Sequence, residues 1–176
     1  MRHSTHLFAA AAPLALICAA MVATPAHADA TVDCNENAGP DGVAGNADDP
    51  VQTTECGVGA SAAGQGATAV GNTAQANDFA TTAVGYNAMA LKPAATALGR
   101  NALATGSQST AVGYLSRATG ISATAIGTGA DASGDYTFAA GLFARAEGID
   151  STAVGRATRA TMAQSTALGS GALAGV

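Results

Sequence analysis

From residue 68 onward, polar and apolar positions follow a pattern whose register never slips. Thr68-Ala69-Val70-Gly71 returns every 14 residues, as Thr82-Ala83-Val84-Gly85, Thr96-Ala97-Leu98-Gly99 and onward to Thr166-Ala167-Leu168-Gly169. One copy departs from it, Phe138-Ala139-Ala140-Gly141. Five residues beyond each of these glycines stands an alanine, from Ala76 to Ala174, and Gly106, Gly120, Gly134 and Gly148 add a second glycine seven residues on. Thr54, Gly57, Ala62 and Gly64 form a degenerate earlier copy in the same register. Punctuation near every seventh residue between short β-branched stretches predicts two short strands and two turns per coil, stacked as an all-β solenoid. Helix is disfavoured, because each glycine costs about 1 kcal/mol against alanine there. Collagen would need glycine at every third position, and calcium-binding nonapeptide rolls would need aspartates that are absent.

Strand alternation splits each coil into faces. In the first strand Thr and Val share one face and the alanine between them takes the other. In the irregular copy a larger residue replaces Thr while a smaller one replaces Val, so Phe138 and Ala140 fill one shared space. We therefore expect the Thr/Val face to point inward. In the second strand Ala88 and Ala90 point inward with Met89 outward. This leaves Ala69, Ala83, Ala97, Ala111, Ala125, Ala139, Ala153 and Ala167 as an unbroken outward column. The expectation is that neighbouring chains pack closely along it.

Composition narrows the chemistry. Of 176 residues 11% are charged and 4% aromatic, and there is no tryptophan, so alanine and glycine must do most of the packing. The net charge of −5 argues against a nucleic-acid partner, which needs a basic surface. The three histidines are His3, His6 and His27. They lie in a stretch that reads as a secretory signal: a basic start, an apolar run from Leu7 to Ala23, then Pro25-Ala26-His27-Ala28. With cleavage after Ala28, no histidine remains for a Ser-His-Asp triad, a Cys-His dyad or a His-ligated metal. Nothing marks a carboxylate pair. No enzyme activity, cofactor or metal is expected.

Three segments follow: a signal peptide over 1–28, an acidic Asp/Asn-rich segment over 29–56, and the repeats over 57–176. From Asp29 to Glu55 there are seven acidic residues and no basic one. Asp33, Asn35 and Asn37 open like a calcium loop, but Ala38 and Ala44 stand where the glycine and the last carboxylate belong, so the stretch reads as a surface rich in Asx turns. Cys34 and Cys56 flank it, and an exported chain with two cysteines outside its signal most simply joins them. The segment is a candidate N-terminal cap.

The Thr-Ala-Val/Ile/Leu-Gly core, followed by Ala-x-Ala and Gly at fixed spacing, resembles the YadA-type head repeat of trimeric autotransporter adhesins. That resemblance implies a left-handed parallel β-roll, three chains packed side by side as a homotrimer, displayed at the bacterial cell surface. It implies binding to host-matrix, cell-surface or environmental ligands. Family members usually continue into a neck, stalk and membrane anchor, so anchoring would come through a segment or partner outside this sequence. The variable outward columns have two readings, a soluble surface of mixed charge or a ligand face at Tyr86, Arg100, Tyr114, Arg117, Arg145, Arg156 and Arg159. There Asp131 should sit between Arg117 and Arg145 and relieve their repulsion. Two alternatives to the adhesin head are a structural or biofilm-matrix solenoid and an ice-binding solenoid. The second needs outward threonines, which the expected face assignment withholds.

Overall fold

The computed structural model describes strand Cys34–Glu36 and residues 53–175. The signal segment 1–28 and most of the acidic segment 29–56, with its calcium-like turn, lie outside the described residues. What is described is a parallel β-solenoid of about nine coils, without helix. Each coil contributes a three-residue strand, such as Thr82–Val84, to one sheet and a two-residue strand, such as Met89–Ala90, to a second. Equivalent residues of successive coils pair in register throughout, Thr110 with Thr96 and Thr124, Ala118 with Ala104 and Ala132.

The corners are laddered as well as the strands. The Asn87 N–H donates to the Asn72 carbonyl at 2.9 Å, and the Ala94 N–H to the Phe79 carbonyl at 2.8 Å. The first corner opens with a glycine whose φ lies near +130°, and its second turn residue is left-handed, as at Asn87 (φ 50°). The next left-handed residue comes seven positions later, at Ala94 (φ 56°). Gly113 shows why the repeat keeps glycine at the first of these sites. Its φ is +129°, and a Cβ there would lie 2.6 Å from the carbonyl oxygen of Gly127 in the next coil. The coils approach too closely for any side chain at that point.

The first-strand faces are inverted relative to the sequence expectation. Ala69, Ala83, Ala97, Ala111, Ala125, Ala139 and Ala153 are 0% exposed and Ala167 3%, so this column lies inside the roll and is not available to another chain. Thr and Val face outward. The second strand is as expected, with Ala88 and Ala90 buried around Met89. The two sheets lie so close that from Ala62 onward every fully buried apolar side chain is alanine. A Thr/Val face would not fit between them.

Four columns per coil point inward, and they obey two different rules. The two strand columns, represented by Ala111 and Ala118, are alanine in every complete repeat. The other two, each following a corner, also admit serine and threonine. There the hydroxyl of most of them donates to the carbonyl three residues back: Ser109 to Gly106 at 2.7 Å, Ser116 to Gly113 at 3.0 Å, Thr137 to Gly134 at 2.6 Å, whereas Ser151 reaches the Ala160 carbonyl at 3.5 Å. A buried hydroxyl needs such a partner. The corner presents a carbonyl to it, whereas strand carbonyls lie in the sheet and are used by the ladder.

The N-terminal end is closed by two devices. Cys34–Glu36 pairs antiparallel with Thr54–Cys56 and covers the open edge of the first sheet. Glu55 occupies the first position of the inward alanine column, paired with Ala69, and its carboxylate accepts the Ala62 N–H at 2.6 Å. That donor points away from the next coil and would otherwise be unpaired at the edge of the second sheet. Cys56 is disulfide-bonded, and Cys34 lies directly opposite it in the ladder.

Candidate assembly and ligand surfaces

The outer face of the first sheet is two residues wide. One column is threonine, broken by Phe138; the other runs from Val70 through Val112 and Ile126 to Leu168. Neither column carries a charge from Thr68 to Leu168. At about 4.8 Å per row, the stripe is about 34 Å tall. Of its aliphatic members Ile126 is 42% and Leu168 66% exposed, and the rest are partly buried. A continuous uncharged stripe of this kind, half of it aliphatic, on a chain so poor in core side chains is a candidate contact surface.

The residues expected to meet ligands are all outward, but they fall on two separate surfaces. Tyr86, Arg100 and Tyr114 are successive members of one corner column. The Arg100 guanidinium lies between the two rings, 5.7 Å from the Tyr86 centroid and 5.5 Å from that of Tyr114. Two such contacts at an exposed site contribute about 0.5–1 kcal/mol each, and they hold Arg100 in one geometry. Arg156 belongs to the same column, four rows further on. Arg117, Arg145 and Arg159 stand instead on the outer face of the second sheet, where Asp131 separates Arg117 from Arg145 in register.

Glu147 is the residue that sequence reasoning missed. Its Oε1 accepts from Arg145 Nη2 at 2.8 Å and lies 4.0 Å from Arg159 Nε. Arg145 and Arg159 are direct neighbours in the ladder, and Glu147, one position past the second strand, offsets part of the repulsion between them. The spacing Arg145-Ala146-Glu147 carried this signal, since residues two apart on a strand share a face.

Among the described residues no group of three or more His, Cys, Asp or Glu side chains is placed to hold a metal ion. No helix among them is long and apolar enough to cross a membrane. A surface hollow of about 230 Å³ at the N-terminal end is lined by Cys56, Gly57, Val58, Val70, Gly71 and Asn72. It presents no group suited to acid–base or nucleophilic chemistry.

The model of the YadA head domain repeat, two copies long, matches this chain four times in tandem, over residues 62–88, 90–116, 118–144 and 146–172. The chain belongs to the YadA head family. Each match spans two coils, so the family unit is a pair of the coils described above. Membership in the YadA head family points to a trimeric autotransporter adhesin-like surface protein. The outward Thr/Val stripe and both ligand-candidate surfaces lie within the span 62–172 of this YadA head, with Arg117 and Arg145 at the single positions between successive matches. No curated protein matches the chain.

Proposed function

We propose that this chain is the head of an exported bacterial surface adhesin, a homotrimer assembled through the outward Thr/Val stripe of the first sheet. The observation that carries this reading is the stripe itself: uncharged, one column of it aliphatic, in register from coil to coil, and at least partly exposed in the single chain. Covering one partly exposed Val, Leu or Ile per row contributes at most about 1 kcal/mol, repeated along the stripe. The trimer leaves the corner ladder of Tyr86, Arg100 and Tyr114 and the Arg117/Arg145/Arg159 face turned outward, toward a host-matrix, cell-surface or environmental ligand. The role is binding and display, without catalysis.

Sedimentation velocity over a concentration series tests the assembly. The exported chain should sediment as a trimer, and Val112→Glu with Ile126→Glu should sediment as a monomer that keeps its β-rich circular dichroism. A monomeric wild type, or a trimeric variant, would remove the proposal. Loss of surface adhesion on Tyr86→Ala with Arg100→Ala, in an intact trimer, is the expected result for the ligand role.

A second reading gains from the inverted faces. The threonine column is outward and regularly spaced, as an ice-binding ladder requires, so the ground on which the sequence discounted that function does not hold. Phe138 and the flanking Val column interrupt a uniform hydroxyl array. Thermal hysteresis of the purified protein distinguishes the two readings, and none is expected.

A further inference from the structure

The irregular copy is the one break in the assembly stripe. Phe138 stands in the threonine column between Thr124 and Thr152, and Ala140 stands in the aliphatic column between Ile126 and Val154. Both side chains face outward; Phe138 is 37% exposed and Ala140 is partly exposed. The exchange of a larger residue for Thr and a smaller one for Val therefore concerns the surface and not the core. Within one strand, residues two apart are separated by about 6.6 Å, so each opens or fills its own part of the face. A bulge and a hollow side by side on one face need an opposing surface with the same pair in reverse order.

Cyclic symmetry supplies that surface. In a closed ring each chain meets the next through two different patches. On a face only two columns wide, these are the threonine column of one chain and the aliphatic column of its neighbour. We propose that Phe138 of each protomer seats in the hollow left by Ala140 of the next, so that this single row keys the trimer into register. The occupant is a second copy of this chain, and the inference rests on the assembly reading above. Every other row presents Thr to Val, Leu or Ile and is nearly interchangeable with its neighbours. A slip of one coil costs those rows little. The same slip drives Phe138 against Ile126 or Val154 of the adjacent chain, where no hollow exists.

The test is a double-mutant cycle on association of the full exported chain, followed by sedimentation equilibrium. Ala140→Val fills the hollow while Phe138 remains, and should weaken association by about tenfold or more per contact. Phe138→Thr should weaken it by leaving the hollow empty. The double variant restores the ordinary repeat and should return to within about threefold of wild type. In the monomeric Val112→Glu, Ile126→Glu background, Ala140→Val should not lower the denaturation midpoint. Independent, multiplying effects of the two substitutions would overturn the key while leaving the assembly face standing. A lowered midpoint in the monomeric background would place the clash inside one chain and overturn it likewise. If the Val112→Glu, Ile126→Glu chain remains trimeric, the face reading fails and the key fails with it.

Discussion

Ala111→Ser and Ala130→Ser add the same hydroxyl to the same fully buried interior, yet the fold predicts different costs. Ala111 lies in a strand column, flanked by Ala97 and Ala125 above and below, and is 0% exposed. A hydroxyl there points between the sheets, where neighbouring side chains are methyl groups and the strand carbonyls are already paired along the roll. Burying it unpartnered should cost about 1–3 kcal/mol. Ala130 lies in a corner column, also at 0% exposure, and its N–H already meets the Gly127 carbonyl at 3.3 Å. That is the arrangement of Ser116, whose N–H and hydroxyl both donate to the Gly113 carbonyl, at 3.4 and 3.0 Å. Ala130→Ser should therefore change stability by less than about 0.5 kcal/mol. Equilibrium urea denaturation at one fixed chain concentration measures the difference, since association adds to apparent stability. Equal losses at both sites, or a neutral Ala111→Ser, would refute the two-rule account of the interior.

Three further outcomes are expected. Gly113→Ala must take a φ of +129° with its Cβ 2.6 Å from the Gly127 oxygen, and should cost at least about 2 kcal/mol, read from the same urea curves. Glu55→Ala strips the Ala62 N–H of its acceptor; it should destabilise the first coil by about 1–2 kcal/mol and speed hydrogen exchange at the Ala62 amide while distant coils keep their protection. Cys56 is disulfide-bonded and faces Cys34 across the ladder, so non-reducing mass spectrometry should show a Cys34–Cys56 peptide. The double serine variant should lose about 3 kcal/mol in the chain-entropy model.

The coil, its length, its register and the second-strand faces were all legible in the sequence, because in-register pairing of short strands repeats the same environment every 14 residues. The first-strand face was not. Alternation gives two phases and does not say which is inside, and the Phe138/Ala140 exchange conserves size on an outer face as well as on an inner one. A usable signal was nevertheless present. Each coil has two corners seven residues apart. With Ala88 and Ala90 inward, the same spacing places Ala95 and Ala97 inward too. The unbroken alanine column then reads as the place where the sheets come closest. The pairing of Glu147 with two arginines could have been read from strand alternation. The Tyr86–Arg100–Tyr114 stack followed from the column alone, since every member recurs at 14 residues. The Glu55 cap was hidden by its position, where a charged residue interrupts a column otherwise made of alanine.

An interior built from methyl groups has no individual fit between one coil and the next. The strand columns of any two coils present the same shape, so a coil can be lost or duplicated by unequal recombination between repeats without repacking what remains. Head length can then vary in whole steps of about 4.8 Å, and the distance to which the chain reaches becomes a quantity that selection can adjust without redesigning the interior. Only the irregular row has a fixed address, and lengthening on either side of it moves that address without altering its neighbours.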